Sequence, residues 1–208
     1  MIEIRGAGVV EGDVTLLAPT SSRVAQGGAL VVRGPNGSGK STLLQLVAGL
    51  RVPTTGSLIV AGDAPRPRSP EFRRRVAALV ATPPLARDLT LAEHIDLVAA
   101  TWSGPGRHVA GGRVLDELDL GRLATRFPHE LSSGQQQLFT VALVLARPSE
   151  VLVFDEPEHR LDDDRVQSVA AAIAARRAAG ATVVVATHDD AVEAGVGGDV
   201  LHLGRAAA

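Results

Sequence analysis

Apolar positions along this chain fall into two alternating patterns. Short unbroken aliphatic runs at Ala29–Val32, Val76–Ala81, Val151–Phe154 and Thr182–Ala186 lack the polar alternation of a half-exposed strand, and Ser57–Val60 reads as a further strand. Such runs suit strands covered on both faces, as in a parallel sheet. Between them lie stretches with helical spacing. Thr42–Ala48 is closed by Gly49, and Ser69-Pro70-Glu71 offers an N-cap, an N1 proline and a first-turn acid. Thr90-Leu91-Ala92-Glu93 is a capping box opening a helix through about Trp102. A glycine-rich loop follows at 104–112, and residues 113–127 read as a further helix. The helix expected from Gln135 to Ala146 is apolar on most faces, is stopped by Arg147-Pro148, and should pack internally. Asp163 through Ala179 is expected to be helical, with acids at its start and Gly180 past its end.

Strands alternating with helices in this way predict an α/β fold with an open, mostly parallel core sheet. Residues 1–33 carry additional short β-like runs, Ile2–Ile4 and Val14–Leu17 among them, and 85–146 reads as an all-helical insertion between strands. Residues 64–70 form a proline-rich connector, and Arg73-Arg74-Arg75 reads as a solvated helix face, since no aromatics interleave with it.

Composition narrows the function classes. The chain has 208 residues, enough for one substantial core, and with 45% hydrophobic but 2% aromatic residues that core must be built from Ala, Val and Leu. A net charge of −2 argues against nucleic-acid binding as the main role. The absence of cysteine excludes disulfides and thiolate metal sites and suits a reducing compartment. Met1–Arg5 lacks a signal-peptide pattern, and no apolar run approaches the ~18 residues of a spanning helix, so a membrane role is expected only through a partner.

The run Ala29–Val32 leads into Gly34-Pro35-Asn36-Gly37-Ser38-Gly39-Lys40-Ser41-Thr42, where Gly34 to Ser41 matches G-x-x-x-x-G-K-[ST], the phosphate-binding loop. Its glycines let backbone N–H groups curl around a phosphate at a helix N-terminus. Lys40 is expected to reach the β- and γ-phosphates, and the Ser41 hydroxyl to bind Mg²⁺. Of the 21 Lys and Arg residues, Lys40 is the only lysine. A guanidinium fork is too wide for a tight phosphate cradle, whereas an ammonium is a compact point charge.

Further polar groups stand where the expected strands end, the edge on which doubly wound sheets place ligands. Asp155-Glu156 follows Val151–Phe154. Asp155 is placed to hold Mg²⁺ directly or through water, and Glu156 to polarise a water aimed at the γ-phosphate. His188 follows Thr182–Ala186, and Leu161-Asp162 comes shortly after Pro157. Leu131-Ser132-Ser133-Gly134-Gln135 opens a helix with N–H groups and hydroxyls free to grip an anion.

In this order these residues resemble the ATP-binding-cassette ATPases, the nucleotide-binding subunits of ABC transporters. The resemblance covers nearly the whole chain, and the combination of phosphate loop, Leu-Ser-Ser-Gly-Gln and Asp-Glu-Pro is specific because other phosphate-loop ATPases lack the middle element. It implies a P-loop NTPase in which residues 1–84 and 147–208 form the nucleotide-binding core with an N-terminal antiparallel β part, and 85–146 an inserted α-helical subdomain. It implies two cassettes, identical or different, packed head to tail around ATP and Mg²⁺. Each ATP then lies between one subunit's phosphate loop and the other's Ser132, Gly134 and Gln135. Glu156 would be the catalytic base, His188 the switch at the γ-phosphate, and Asp162 part of the contact across the dimer. A separate transmembrane permease would be the partner, with the chain peripheral on the cytoplasmic face of the membrane.

The sequence departs from the family at several points. Thr82 stands where a glutamine usually touches Mg²⁺ and the attacking water, and no glutamine occurs between Gln45 and Gln135. The register of the base-stacking aromatic falls near Glu11, and the first aromatic is Phe72. Ser133 replaces a glycine, Leu138 an arginine, and Glu158-His159-Arg160 the usual small residues. Two other readings remain open: a soluble cassette ATPase acting on DNA, ribosomes or iron–sulfur assembly, and a regulatory cassette that binds ATP but turns over slowly. Single-cassette length and non-basic charge speak against the first; intact Lys40, Asp155, Glu156 and His188 speak against the second.

Overall fold

The computed structural model describes residues 1–66, 68–102 and 111–204. Its sheets segregate by strand direction. One is antiparallel with order β2-β1-β4, from β1 (Ile2–Glu11), β2 (Val14–Val24) and β4 (Thr55–Val60). The other is parallel throughout, with order β5-β6-β7-β3-β8, from β3 (Ala29–Arg33), β5 (Val76–Leu79), β6 (Val151–Asp155), β7 (Thr182–Ala186) and β8 (Asp199–His202). The α/β fold and its parallel core sheet are as the sequence implied. The short N-terminal runs prove to be halves of one long hairpin, closed where Glu11 pairs with Val14 around Gly12 and Asp13. Gly12 has φ +58°, which a two-residue hairpin turn requires and glycine supplies without strain.

Side-chain alternation along the parallel strands fills two cores. Val31, Leu152, Phe154, Val183 and Val185 face one, while Leu30, Val32, Val151, Val153, Val184 and Ala186 face the other. This is why these strands read as unbroken apolar runs: both faces are covered. On the first face pack α5 (Ser133–Leu145) and α6 (Asp163–Ala178), with α3 (Leu91–Trp102) and α4 (Gly111–Glu117) beyond. On the second lies α1 (Lys40–Val47), whose Leu43, Leu44, Leu46 and Val47 are buried under the antiparallel sheet. Each such fully buried side chain contributes about 1.5–3 kcal/mol.

Between β5 and β6 the described chain makes only helices and turns, including 3-10 turns at Gly121–Leu123 and Pro128–Glu130. The expected capping box is present: the Thr90 N–H donates to Glu93 Oε2 at 2.7 Å, and the Glu93 N–H to Thr90 Oγ1 at 3.3 Å. The α5 helix packs internally, with Leu138, Phe139, Val141 and Ala142 at most 1% exposed.

Other expectations need correction. The helix expected over 113–127 ends at Glu117, because Asp119 turns left-handed at φ +56° and the chain continues as a 3-10 turn. The loop expected at 104–112 lies mostly outside the described residues, its last two positions opening α4; position 67 of the proline-rich connector is likewise outside them. The helix α2 (Pro70–Arg75) has its Ser69 cap, and Arg73 and Arg74 are exposed as expected, while Arg75 is half-covered and makes tertiary bonds. Its guanidinium donates to Ala61 O at 2.7 Å and Asp63 Oδ2 at 2.9 Å, tying the two sheets' borders together. Two elements escaped the sequence reading, α7 (Asp190–Val196) and β8.

Candidate nucleotide-binding site

Register in the parallel sheet decides which residues meet. Ala186 pairs with Val32 on one side and with Asp155 on the other, and Leu79 pairs with Phe154. The segments leaving β3, β5, β6 and β7 therefore emerge along one sheet edge: the loop at Gly34, Thr82, Glu156 and His188. Residues as far apart in sequence as Lys40 and His188, separated by 148 positions, become neighbours there, as the carboxyl-edge rule for such sheets requires.

The loop from Gly34 to Gly39 joins β3 to α1, with Pro35–Gly37 exposed to solvent. Gly39 begins the helix at φ +94°, and a Cβ there would sit 2.6 Å from Leu16 O, so only glycine fits. No side chain caps α1, so its first N–H groups and the helix dipole are left for an anion. Ser38 is 2% exposed and its Oγ has no hydrogen-bond partner. An orphaned buried donor beside an uncapped helix start fits a phosphate ligand. Lys40 is buried, with Nζ donating to Gly34 O at 3.0 Å and lying 2.9 Å from His188 Nε2. In this arrangement the loop's own carbonyls hold the ammonium that a phosphate would otherwise engage.

Asp155 ends β6 and lines the same cavity as Ser41. Burial pushes its carboxyl up from the ordinary value; the neighbouring Ser41 hydroxyl opposes this, nearby Glu156 adds to it, and Lys40 counters. Ser41 and Asp155 are two hard oxygen donors on adjoining elements, a set that suits Mg²⁺, which usually keeps waters and phosphate oxygens as its other ligands. Among the described residues no cluster of three or more His, Cys, Asp or Glu is placed to hold a metal alone. Thr82 is exposed and lines, with Ser41, Gln137, Asp155, Glu156 and His159, a cavity of about 250 Å³.

Glu156 has left-handed backbone, φ +48°, which a non-glycine residue adopts only when its surroundings impose it. They do: its N–H donates to Ala186 O at 2.9 Å, and Gln137 Nε2 donates to Glu156 O at 3.4 Å and Pro157 O at 3.1 Å. The result aims Oε1 to within 3.4 Å of His188 Nε2. Lys40, Asp155, Glu156 and His188 thus converge.

Ser132, Gly134, Gln135 and Asp162 do not join them. Ser132 caps α5, accepting from the Gln135 N–H at 3.3 Å while Gln135 Oε1 accepts from the Ser132 N–H at 2.9 Å. Asp162 caps α6, accepting from the Arg165 N–H at 3.1 Å. Gln135 and Asp162 line a separate cavity of about 580 Å³ with Asp116, Leu138 and Arg165.

Three contributors were not found from the sequence. Gln137 carried a weak signal, the last of three consecutive glutamines before an apolar run. Arg33 carried none, and Glu158 only that of a bulky residue where small ones are usual, because their partners are distant in sequence. Arg33 donates to His188 O at 2.9 Å and Asp190 Oδ1 at 2.8 Å, and also pairs with Glu193. Glu158 Oε1 accepts from Thr187 Oγ1 at 2.6 Å and from the His188 N–H at 3.2 Å. Burial raises the Glu158 carboxyl from its ordinary value, and its hydrogen bonds, that of Thr187 foremost, partly offset this.

Comparison with known proteins agrees with this geometry. A family model described as ABC transporter matches residues 17–159. The cytochrome c biogenesis ATP-binding export protein CcmA of Ruegeria sp. (strain TM1040) is 33% identical over 204 residues, 98% of this chain and 91% of that protein. The Fe(3+) ions import ATP-binding protein FbpC of Pseudomonas fluorescens (strain Pf0-1) is 34% identical over 165 residues, 76% of this chain and 47% of that one. A dimeric post-hydrolysis structure of the ATP-binding cassette MJ0796 bound to ADP and Pi superposes with a TM-score of 0.82 at 25% identity, covering 98% of this chain and 94% of that chain.

Proposed function

The chain belongs to the ABC transporter family, and on that premise we propose that it is an ATP-binding and ATP-hydrolysing subunit that dimerises around ATP to drive a separate membrane permease. The observation that carries this is the convergence of Lys40, Asp155, Glu156 and His188 at one sheet edge, with the uncapped α1 beside them. A turning-over site needs that set, and its presence favours hydrolysis over a regulatory cassette.

In the proposed reaction the loop N–H groups and Ser38 hold the phosphates, with Lys40 leaving the loop carbonyls for the β- and γ-phosphates. Glu156 accepts the proton of a water on the γ-phosphate side, and His188, between Lys40 and Glu156, contacts the γ-phosphate. Mg²⁺ held by Ser41 and Asp155, with Thr82 at the rim, would supply charge neutralisation at the phosphates. The distance of Ser132, Gly134, Gln135 and Asp162 from this set supports a second cassette as the partner that completes each site.

Residues 85–146 act as the helical subdomain that meets the permease. An apolar groove of about 220 Å³ lies between it and the core, lined by Ala48, Leu50, Phe72, Val76, Trp102 and Arg147. Leu50 is 62% and nearby Val52 76% exposed, an apolar rim that water does not favour. The Arg147 guanidinium lies 3.8 Å over Trp102, and burial lowers its pKa to about 10. Among the described residues no helix is long and apolar enough to cross a membrane. As part of this proposal the chain sits on the cytoplasmic face of the membrane, held there by the permease. The test is copurification from solubilised membranes. A multispanning polypeptide should copurify with the chain, and Leu50→Asp should release it while ATP binding is unchanged; retention by the variant would refute the groove assignment.

Base selectivity should be weak. Glu11 occupies the hairpin position expected for a stacking aromatic, and it pairs with Arg51. Stacking is worth about 1–3 kcal/mol per base, so without it ATP and GTP should bind within roughly threefold of each other. A preference for ATP above about tenfold in an equilibrium titration would contradict this.

A further inference from the structure

Building on the hydrolytic reading above, we propose that Glu158 is a positioning residue that clamps the His188 main chain and so keeps the imidazole between Lys40 and Glu156. The position after Asp155-Glu156-Pro157 bears a carboxylate that turns away from the site cavity and grips the neighbouring loop. Its Oε1 accepts two hydrogen bonds, from the Thr187 hydroxyl at 2.6 Å and the His188 N–H at 3.2 Å.

The rest of that loop is gripped too. Thr187 is fully buried; its N–H donates to Val32 O at 3.3 Å, and its Oγ1 accepts from the Asp189 N–H at 2.9 Å. Asp189 Oδ1 then caps α7, accepting from the Ala191 N–H at 2.8 Å. On the other side Arg33 holds His188 O at 2.9 Å. The peptide groups flanking the His188 Cα are thus fixed by two opposite charges, Glu158 on the N–H and Arg33 on the C=O. Such charge-assisted bonds are about twice as strong as neutral ones.

Only the backbone is held this way. The ring itself has polar contacts only with Lys40 Nζ at 2.9 Å and Glu156 Oε1 at 3.4 Å among the described residues, so its aim depends on where the main chain sits. Glu158 Oε2 is buried without a partner, an arrangement costly for folding alone. That cost is understandable if the carboxylate serves the geometry of the loop rather than stability.

A group displaced by about 1 Å loses up to ~100-fold in rate, so Glu158→Ala should lower kcat by about 10- to 100-fold. The KM and the equilibrium Kd for ATP should stay within about threefold, because Lys40 and the loop are untouched. Glu158→Gln keeps the accepting oxygen and should restore kcat to within about fivefold of the parent. Glu158→Ala added to His188→Ala should cost nothing further, since the two act through one ring. These measurements use the full chain under conditions where the parent hydrolyses ATP. Should the alanine variant not fold, Glu158→Asp, too short to reach Thr187, carries the same expectation. Multiplicative losses in the double variant, or a failure of Glu158→Gln to restore kcat, would overturn the clamp while leaving the hydrolytic reading intact. A parent chain that binds ATP but never hydrolyses it would sink both.

Discussion

Lys40→Ala is expected to weaken ATP binding by the full chain at least ~100-fold, beyond what a titration at millimolar nucleotide can saturate. The loop holds one ammonium and no other cation of its own. Lys40 is 6% exposed, so the charge acts in a poorly solvated setting where each contact counts for more. Nothing nearby can take its place: Arg33 is already committed to His188, Asp190 and Glu193. Lys40→Arg should bind nearly as poorly as the alanine variant, because the planar fork does not fit where Nζ now lies between Gly34 O and His188 Nε2. The missing stacking aromatic sharpens the expectation, since phosphate contacts then carry most of the affinity. A Kd within tenfold of the parent for Lys40→Ala would show that the base or ribose is held by contacts not identified at Glu11 and its neighbours.

The legible part of this molecule was whatever chemistry is local in sequence. Gly34–Ser41 announces a phosphate loop because strand, turn and helix are contiguous, and Asp155-Glu156 announces an acid pair because it follows an apolar run. The parallel sheet could be read because strands covered on both faces are written as unbroken Val, Leu and Ala. What could not be read were facts of register. The proximity of Glu156 to His188 follows from Asp155 pairing with Ala186 across two strands. The strand β8 carries only Asp199-Val200-Leu201-His202, half of it polar, because an edge strand needs cover on fewer sides. The helix α7 is seven residues long with Gly195 inside it, so capping by Asp189 and packing outweigh its propensity. Glu158 was visible only as a bulky substitute for a small residue, and its role depends on Thr187 lying 29 positions away.

The same register makes Glu156→Gln the most informative single change at the reacting centre. The substitution preserves shape, so the left-handed backbone at φ +48° and the hold of Gln137 on the adjoining carbonyls should persist. What disappears is the carboxylate that accepts a proton from water. General bases contribute roughly 10²–10⁴-fold, so kcat should fall by about 10³-fold in single-turnover measurements. ATP affinity should hold or rise, because removing a negative charge beside the γ-phosphate relieves repulsion. Binding that persists without hydrolysis should leave two chains joined around nucleotide, seen as an ATP-dependent shift from monomer to dimer in gel filtration. The shift should vanish in Lys40→Ala, which cannot hold the nucleotide. It should also weaken in Gly134→Val, because Gly134 lies against Arg160 O, where an added Cβ would come within 3.0 Å and displace the α5 start. Undiminished turnover by Glu156→Gln would move the base elsewhere. His159, which lines the same cavity as Ser41 and Asp155, would then be the group to test.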